Sequence, residues 1–281
     1  MSRRWQQVRH QLRRNRPAQF SLFVLFIFVV AALCAGLSPY DPDRMALGAR
    51  TLPPDAAHWF GTDEYGRDYF TRALYGGLIS LMVGFLAMLF STLIGTVVGT
   101  VSGYFGGWLD NLMMRAVDIL MAIPAFFLLL VVNAYLKPGV DNIILIISLL
   151  TWMNMSRLVR AETLSVKERE YVLYARASGE HPLRIIVRHI IPGVLPTIIV
   201  AATLNIASAI LMESTLSFLG LGVQAPAASW GSMLNNAQSY IGEASWLAMF
   251  PGILILLTVF SFNVLGDVFR TAFEPGANRD E

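Results

Sequence analysis

Residues 78–101 read LISLMVGFLAMLFSTLIGTVVGTV, a long apolar run without a single charged side chain. A helix needs about 20 mainly apolar residues to cross the hydrocarbon core of a bilayer. This stretch meets that length, and it is followed by SGYFGG at 102–107, where small residues close the run. The stretch therefore predicts a helix that spans a membrane.

The composition of the whole chain points the same way. Of its 281 residues, 55% are hydrophobic and only 14% are charged, whereas soluble domains carry about a quarter of charged residues. This balance excludes an ordinary soluble enzyme and a disordered chain. The net charge of +2 excludes a strongly basic nucleic-acid binder, so we expect no nucleic-acid partner. The remaining class is an all-α integral membrane protein in a lipid bilayer.

Six apolar runs predict six transmembrane helices, in one transmembrane domain over about 70–270. The first run is longer than the 7–15 apolar residues of a signal peptide, so an uncleaved span is favoured over a cleaved leader. The predicted spans are 20–37, 78–101, 112–136, 140–155, 190–212 and 246–265. The predicted connections are an N-terminal arm at 1–19, an outer loop at 38–77, a cytoplasmic loop at 156–189, an outer or re-entrant segment at 213–245 and a tail at 266–281.

Basic residues decide the predicted orientation. With both termini in the cytoplasm, the cytoplasmic pieces hold sixteen of the 21 lysines and arginines, and the outer pieces hold five. Cytoplasmic loops carry the excess of positive charge. The sequence therefore predicts a multi-pass protein of the bacterial cytoplasmic (inner) membrane with both termini cytoplasmic.

Residues for catalysis are not evident in the sequence. The only lysines, Lys137 and Lys167, do not follow the glycine of a phosphate-binding loop, so ATP hydrolysis of that type must come from a partner. Cys34 is the only cysteine, and the four histidines do not form a metal-binding motif. We predict no catalytic residue, metal site or cofactor in this chain. A membrane-embedded enzyme, the alternative from another class, would need paired carboxylates or a histidine cluster inside its spans.

The loop at 156–189 has the features of a helical elbow. Alternating charges and small apolar residues predict a helix over 162–177, which ends at Ser178 and Gly179. Gly179 suits a left-handed position after a helix, and Pro182 suits the first turn of a second helix. A rigid elbow with exposed apolar residues would allow a cytoplasmic partner to move the attached helices. The alternative interpretation of this loop is a solvated connector. A stand-alone channel would not need such an elbow.

The same loop resembles that of a known family. YVLYARASG at 171–179, followed by RHIIP at 188–192, resembles the E-A-A-x-x-x-G…L-P loop of ABC importer permeases in its spacing. Leu173, Tyr174 and Ile191 depart from the usual Glu, Ala and Leu. Further segments are similar to the dipeptide, oligopeptide and nickel branch of these importers. They are HWFGTDEYGRD at 58–68, GYFGGWLD at 103–110, LSFLGLGVQAP at 216–226, SWG at 229–231 and FNVLGD at 262–267.

This resemblance, over 15–276, implies the C-type permease subunit of such an importer. It implies a type I permease fold with a coupling helix between spans four and five. The implied partners are a second, non-identical permease, two ATP-binding cassette subunits that bind ATP and Mg, and an extracytoplasmic substrate-binding protein. The implied cargo is a peptide, with a nickel chelate or an antimicrobial peptide as alternatives. The implied residues of ATPase coupling are Tyr171, Leu173, Tyr174, Ala175, Arg176, Gly179, Glu180 and Pro182.

Two outer segments carry further candidates. One contacts the binding protein or merely caps a folded outer loop; its residues are Gly61, Thr62, Asp63, Gly66, Arg67 and Asp68. The other forms a broken segment over the pore or packs at an interface; its residues are Glu213, Phe218, Gly220, Gly222 and Trp230. Glu213 could line the exit path or bind a peptide amine, and a snorkelling cap is the favoured alternative. Near the start of span three, Arg115 and Asp118 are three residues apart on a helix and are predicted to pair.

Overall fold

The fold was analysed in a computed structural model, which describes residues 3–273 except 125–126, 129–130, 133–134 and 136–138. In these residues the regular structure is helical, apart from an isolated antiparallel bridge between Thr62 and Asp68. The predicted all-α class is therefore confirmed.

Ten α-helices, numbered here in chain order, are seen in the described part of the chain. They are α1 (Arg3–Arg14), α2 (Arg16–Leu33), α3 (Tyr69–Phe105), α4 (Gly107–Met121), α5 (Val140–Val166), α6 (Glu170–Ala177), α7 (Pro182–Ile185), α8 (Ile191–Phe218), α9 (Trp230–Ala237) and α10 (Trp246–Phe273). A π-helical turn, Ile186–Ile190, joins α7 to α8 without a break.

Five helices of the described residues are long and apolar enough to cross a membrane. They are Arg16–Leu33, Tyr69–Phe105, Val140–Val166, Pro182–Phe218 and Trp246–Phe273. The predicted third span, 112–136, lies partly outside the described residues. Its described beginning belongs to α4, which ends at Met121, just before Pro124.

The centre of the bundle is a parallel packing of α3 against α5. Small residues line this face of α3, and larger side chains of α5 fill the space that they leave. The contacts advance in register, from Gly95 on Met155 through Gly99 on Val159 to Gly103 on Thr163. Because the two helices run in the same direction, the chain between them must return to the opposite end of the bundle.

The other long helices complete the bundle around α3. Helix α8 is antiparallel to α3, since Gly84 lies against Ile210 while Ser80 bonds to Glu213. The Tyr69 hydroxyl donates to the Leu247 carbonyl at 2.6 Å, which places the start of α10 beside the start of α3. The ends of α3 and α5 and the start of α8 therefore share one end of the bundle, called the elbow end. The opposite end is called the loop end.

Ion pairs hold α4 and α5 together at the elbow end. Arg160 donates to both carboxylate oxygens of Asp110, at 2.5 and 2.6 Å. These hydrogen bonds lower the pKa of Asp110 below its usual range. The predicted pair of Arg115 and Asp118 is wrong, because Asp118 pairs with Arg157 of α5 instead. A neighbouring helix thus provides the partner, which spacing within one helix cannot reveal.

We expect Gly99→Ala to destabilise the protein by about 1–3 kcal/mol, the usual cost of overpacking a tight interface. A Cβ at Gly99 would lie 2.5 Å from the Ser156 carbonyl oxygen, and that backbone atom cannot move aside alone. Gly252→Ala on α10 is the matched control, since its Cβ would meet nothing within 4 Å. Thermal unfolding of the purified protein should show a lower Tm only for Gly99→Ala. Equal melting of the two variants would contradict this packing.

Candidate functional site

The elbow, residues 171–182, turns sharply at its predicted glycine. The Gly179 amide donates to the Arg176 carbonyl and the Glu180 amide to the Ala175 carbonyl, both at 3.1 Å. These two bonds form a Schellman motif, which requires a left-handed residue after the helix. Gly179 has φ +77°, and Pro182 occupies the first turn of α7. Both sequence predictions for this turn are confirmed.

The helix predicted over 162–177 is wrong, because the structure divides it into two. Helix α5 ends at Val166, and Arg169 has extended backbone before α6 begins. The Lys167 ammonium reaches back to the Gly103 carbonyl of α3, at 3.0 Å. This contact joins residues far apart in the chain, so the local pattern of charges did not indicate the break.

The inner face of the elbow is fixed to the bundle. Val172 and Ala175 of α6 are buried, as are the apolar side chains of the following turns. They share one core cluster with Met155, Val159 and Val166 of α5, Ile185, Ile186 and Ile190 of the following turns, and Val194 and Ile198 of α8. Ala175 thus contributes to the attachment of the elbow rather than to its surface. Movement of the elbow is expected to carry the adjoining ends of α5 and α8 with it.

Five exposed apolar side chains, called the crest, lie on the elbow and on the helical turns that follow it. Their exposed fractions range from 44% for Leu173 to 76% for Tyr174. The crest consists of Tyr171, Leu173, Tyr174, Leu183 and Val187. Sequence reasoning missed Leu183 and Val187, although their four-residue spacing on one helical face was a signal for them. Exposed apolar side chains next to a rigid turn suit contact with another protein.

The two charged residues of the elbow differ in whether the chain itself provides a partner. Arg176 is exposed. The Glu180 carboxylate lies 3.0 Å from Nε2 of His189 on the π-helical turn, so its partner belongs to the chain itself. The Tyr171 ring lies 6.4 Å from the His189 ring. These two contacts brace the elbow, because they connect it to the π-helical turn that follows it.

The candidate residues of the outer loop are mostly buried within that loop. Thr62, Asp63, Arg67 and Asp68 are each 5% exposed or less. Asp63 accepts from the amides of Tyr65 and Arg67, both at 2.9 Å, and from Nε of Arg67 at 2.6 Å. These bonds satisfy a buried carboxylate and a buried guanidinium together, as buried charges require.

Two of these candidate residues, Asp68 and Thr62, connect distant parts of the outer loop. Asp68 caps α3 by accepting from the Thr71 amide at 2.7 Å, and it lies 2.8 Å from Nδ1 of His58. The Thr62 hydroxyl donates to the Ala49 carbonyl and accepts from the Leu52 amide. Both connections tie distant parts of the loop together.

Glycines at 61 and 66 allow the closest backbone approaches in the loop. Both have φ +74°, and a Cβ at Gly66 would lie 1.9 Å from the Ala46 carbonyl oxygen. The buried network therefore favours the interpretation that these residues fold the outer loop. Trp59 and Tyr65 of the same loop are exposed, at 65% and 41%.

We expect Thr62→Val, which keeps the shape of the side chain, to destabilise the outer loop by about 1–3 kcal/mol. It leaves the Ala49 carbonyl and the Leu52 amide without their buried partner. Limited proteolysis should cut residues 38–68 faster in this variant. Thr271→Val is the control, because Thr271 is only partly buried and its hydroxyl bonds to the Asp267 carbonyl of its own helix. Unchanged cleavage of Thr62→Val would contradict the role of its hydroxyl.

Glu213 lies at a junction of α3, α8 and the segment around α9. Its side chain is fully buried, so the predicted snorkelling cap is wrong. Its carboxyl oxygens accept from the hydroxyls of Ser80 at 3.0 Å and Ser217 at 2.7 Å. The same two hydroxyl oxygens accept from the backbone amides of Trp230 and Val223. Glu213 thus holds the segment that carries α9 through two serine bridges.

The other candidate residues of this segment surround the junction. Trp230 is buried and donates its indole N–H to the Ala73 carbonyl at 2.9 Å. Gly222 lies so close to Ser217 that a Cβ would meet its hydroxyl at 2.0 Å. Gly220 and the partly exposed Phe218 lie further out, and Gly220 has φ +76°. A polar cavity of about 440 Å³ separates this region from the outer loop.

Among the described residues, no group of three or more His, Cys, Asp and Glu side chains could hold a metal ion.

Residues 95–279 match the family described as "Binding-protein-dependent transport system inner membrane component". Residues 3–54 match the "N-terminal TM domain of oligopeptide transport permease C".

Several curated proteins are similar to nearly the whole chain. The dipeptide transport system permease protein DppC of Bacillus subtilis (strain 168) is 43% identical, over 96% of this chain and 85% of that protein. The oligopeptide transport system permease protein OppC of Escherichia coli (strain K12) is 41% identical, over 96% of this chain and 91% of that protein.

Among solved structures, an inward-facing conformation of the MetNI methionine ABC transporter has a similar fold. Its TM-score is 0.59 at 20% identity, and the match covers 70% of this chain and 94% of that chain. The fold and the match over 95–279 agree with the resemblance of the elbow and the outer segments. The chain belongs to the family of inner-membrane components of binding-protein-dependent transport systems.

Proposed function

We propose that this chain forms one half of the translocation path of an ATP-driven peptide importer. The other half would be a second, non-identical permease subunit, and an extracytoplasmic binding protein would deliver the cargo. The DppC and OppC relatives, which are named for dipeptide and oligopeptide transport, support a peptide as the cargo. The observation that carries the proposal is the crest, an exposed apolar surface on a braced elbow.

The proposed partners at the crest are two ATP-binding cassette subunits, which bind ATP and Mg. The chain itself has no phosphate-binding lysine motif, so the energy of ATP must reach it through contacts. Tyr171, Leu173 and Tyr174 offer aromatic and apolar anchors of the kind that dominate protein interfaces. The exposed charge of Arg176 would set their register on the partner.

The proposed orientation places the elbow end in the cytoplasm, with both termini on that side. The excess of lysine and arginine in the predicted cytoplasmic pieces supports it. The parallel packing of α3 and α5 supports a further crossing between them, which would raise the number of spans to six. The outer loop and the segment around α9 would then face the binding protein.

The proposed mechanism is a rigid-body switch. Closure of the ATP-binding subunits would move each elbow, and the core cluster beneath it would carry α5 and α8 between inward-open and outward-open states. A shift from 1:99 to 99:1 requires about 5.5 kcal/mol of differential binding. Interface anchors contribute about 2 kcal/mol or more each, so a crest of this size is sufficient.

Reconstitution tests the proposed function directly. The chain is purified with a sister permease and the ATP-binding subunits, inserted into liposomes and supplied with the binding protein and radiolabelled dialanine. We expect ATP-dependent accumulation of the peptide, and none from the chain alone. Peptide accumulation by the isolated chain without ATP would refute the proposal, as would a complete complex that hydrolyses ATP but does not import any peptide.

A further inference from the structure

A second cavity lies beside the elbow, on the side away from the outer loop. It has a volume of about 320 Å³ and lies between the end of α5, the start of α6, the first turns of α8 and Phe273 at the end of α10. Its polar lining residues are Glu162, Arg169, Tyr171 and Thr197. Pro196 and Val200 form part of the apolar wall of the cavity. The cavity therefore combines both signs of charge with hydroxyl groups.

The polar side chains of this cavity have no partners among the residues that the structure describes. Glu162 and Arg169 form no ion pair, and the side chains of all four residues form no hydrogen bond there. The four groups are thus available to a ligand that offers complementary charges.

We propose that this cavity binds a short peptide with free termini, the product of the import reaction. A peptide ammonium would pair with Glu162, a peptide carboxylate with Arg169, and the hydroxyls would bond to peptide groups between them. A simple anion would meet the unfavourable charge of Glu162, and a simple cation that of Arg169. The volume is at the lower end of ligand pockets, which favours a dipeptide or a tripeptide.

The position of Tyr171 gives such binding a consequence. Tyr171 lines the cavity, and the same residue belongs to the crest and is 49% exposed. The Tyr171 hydroxyl lies close to α8, since a Cβ at Gly193 would be 3.1 Å from it. A bound peptide holds the Tyr171 side chain against α8 and withdraws it from the ATP-binding subunit. Accumulated product therefore lowers coupled ATP hydrolysis, a feedback that rests on the proposed function.

Equilibrium binding to the assembled transporter in nanodiscs, without the binding protein, tests this site. Radiolabelled dialanine should bind saturably, and N-acetyl-dialanine amide, which lacks both terminal charges, should not compete. Glu162→Gln and Arg169→Gln should each weaken binding by about tenfold or more, equivalent to about 1.4 kcal/mol. Glu168→Gln and Arg188→Gln are the matched controls, because both side chains are exposed and lie outside the cavity lining.

The second readout is ATPase activity stimulated by the binding protein. Millimolar dialanine should inhibit the unmodified complex and the two controls, but not Glu162→Gln or Arg169→Gln. Equal competition by the capped peptide, or unchanged binding in both cavity variants, would overturn the inference. Stronger displacement by glycerophosphoethanolamine than by dialanine would assign the cavity to a lipid headgroup and would overturn it too. Peptide uptake by the same purified complex inserted into liposomes separates these results from failure of the proposed function, since uptake persists if only the product site is wrong.

Discussion

Gly179→Val is expected to lower peptide import at least tenfold while membrane insertion and assembly continue. Valine is strongly disfavoured at φ +77°, since left-handed backbone costs about 1–2 kcal/mol and is worst for β-branched residues. The Schellman motif would open, and α6 would lose its fixed angle to α7. Because a Cβ at Gly179 meets nothing within 4 Å, the effect would come from backbone conformation and not from a clash.

Gly179→Asn is the matched variant for this prediction. Asparagine adds a side chain of similar size but adopts the left-handed conformation far more readily than valine does. We expect it to retain most of the import activity. The measurement is the number of peptides imported per ATP hydrolysed in liposomes, which should fall only for valine. Equal ratios for the two variants would contradict the role of the turn in coupling.

Glu213→Leu is expected to abolish import by releasing the segment that carries α9. Leucine removes the acceptor of two buried serine hydroxyls, and each buried group left unsatisfied costs about 1–3 kcal/mol. The Trp230 and Val223 amides, which bond to the same hydroxyls, would lose their fixed partners. Glu213→Gln keeps one carbonyl acceptor and should have a smaller effect.

Hydrogen exchange locates the effect of these Glu213 variants. Amides of residues 223–237 should exchange at least tenfold faster in Glu213→Leu, with little change at the elbow. Glu243→Leu removes an exposed carboxylate a few residues after 223–237 and serves as the control. Faster exchange throughout the protein would indicate general unfolding and contradict a local anchoring role. Normal exchange at 223–237 would contradict it as well.

Much of the helical framework could be predicted from the sequence because its signals are local. An apolar run predicts a helix in a membrane, and Gly179 and Pro182 predict a helix end and a helix start from backbone preference alone. The helices nevertheless extend beyond the apolar runs, as α5 does to Val166. Polar helix ends outside the hydrocarbon core are stabilised by packing and ion pairs, for which a hydropathy pattern has no signal.

The details of the candidate sites depended on contacts between distant residues. Burial of Glu213 follows from Ser80, which lies on another helix. Burial of Asp63 follows from the way residues 38–68 fold back on themselves, so its charge suggested an accessible surface that the loop does not present. The partner of Asp118 is likewise on another helix. Spacing along one segment cannot reveal such pairs.

The most direct test of the central claim is crosslinking of the crest to an ATP-binding subunit. In a Cys34→Ser background, Tyr174→Cys and Leu183→Cys place single cysteines on the crest, and Trp59→Cys places one on the outer loop. A photoactivatable reagent attached to each cysteine is irradiated in the assembled, import-competent transporter. Adducts with an ATP-binding subunit from both crest cysteines, and none from the outer loop, are the predicted result. An import-competent transporter without crest adducts, or with adducts from Trp59→Cys, would contradict the claim.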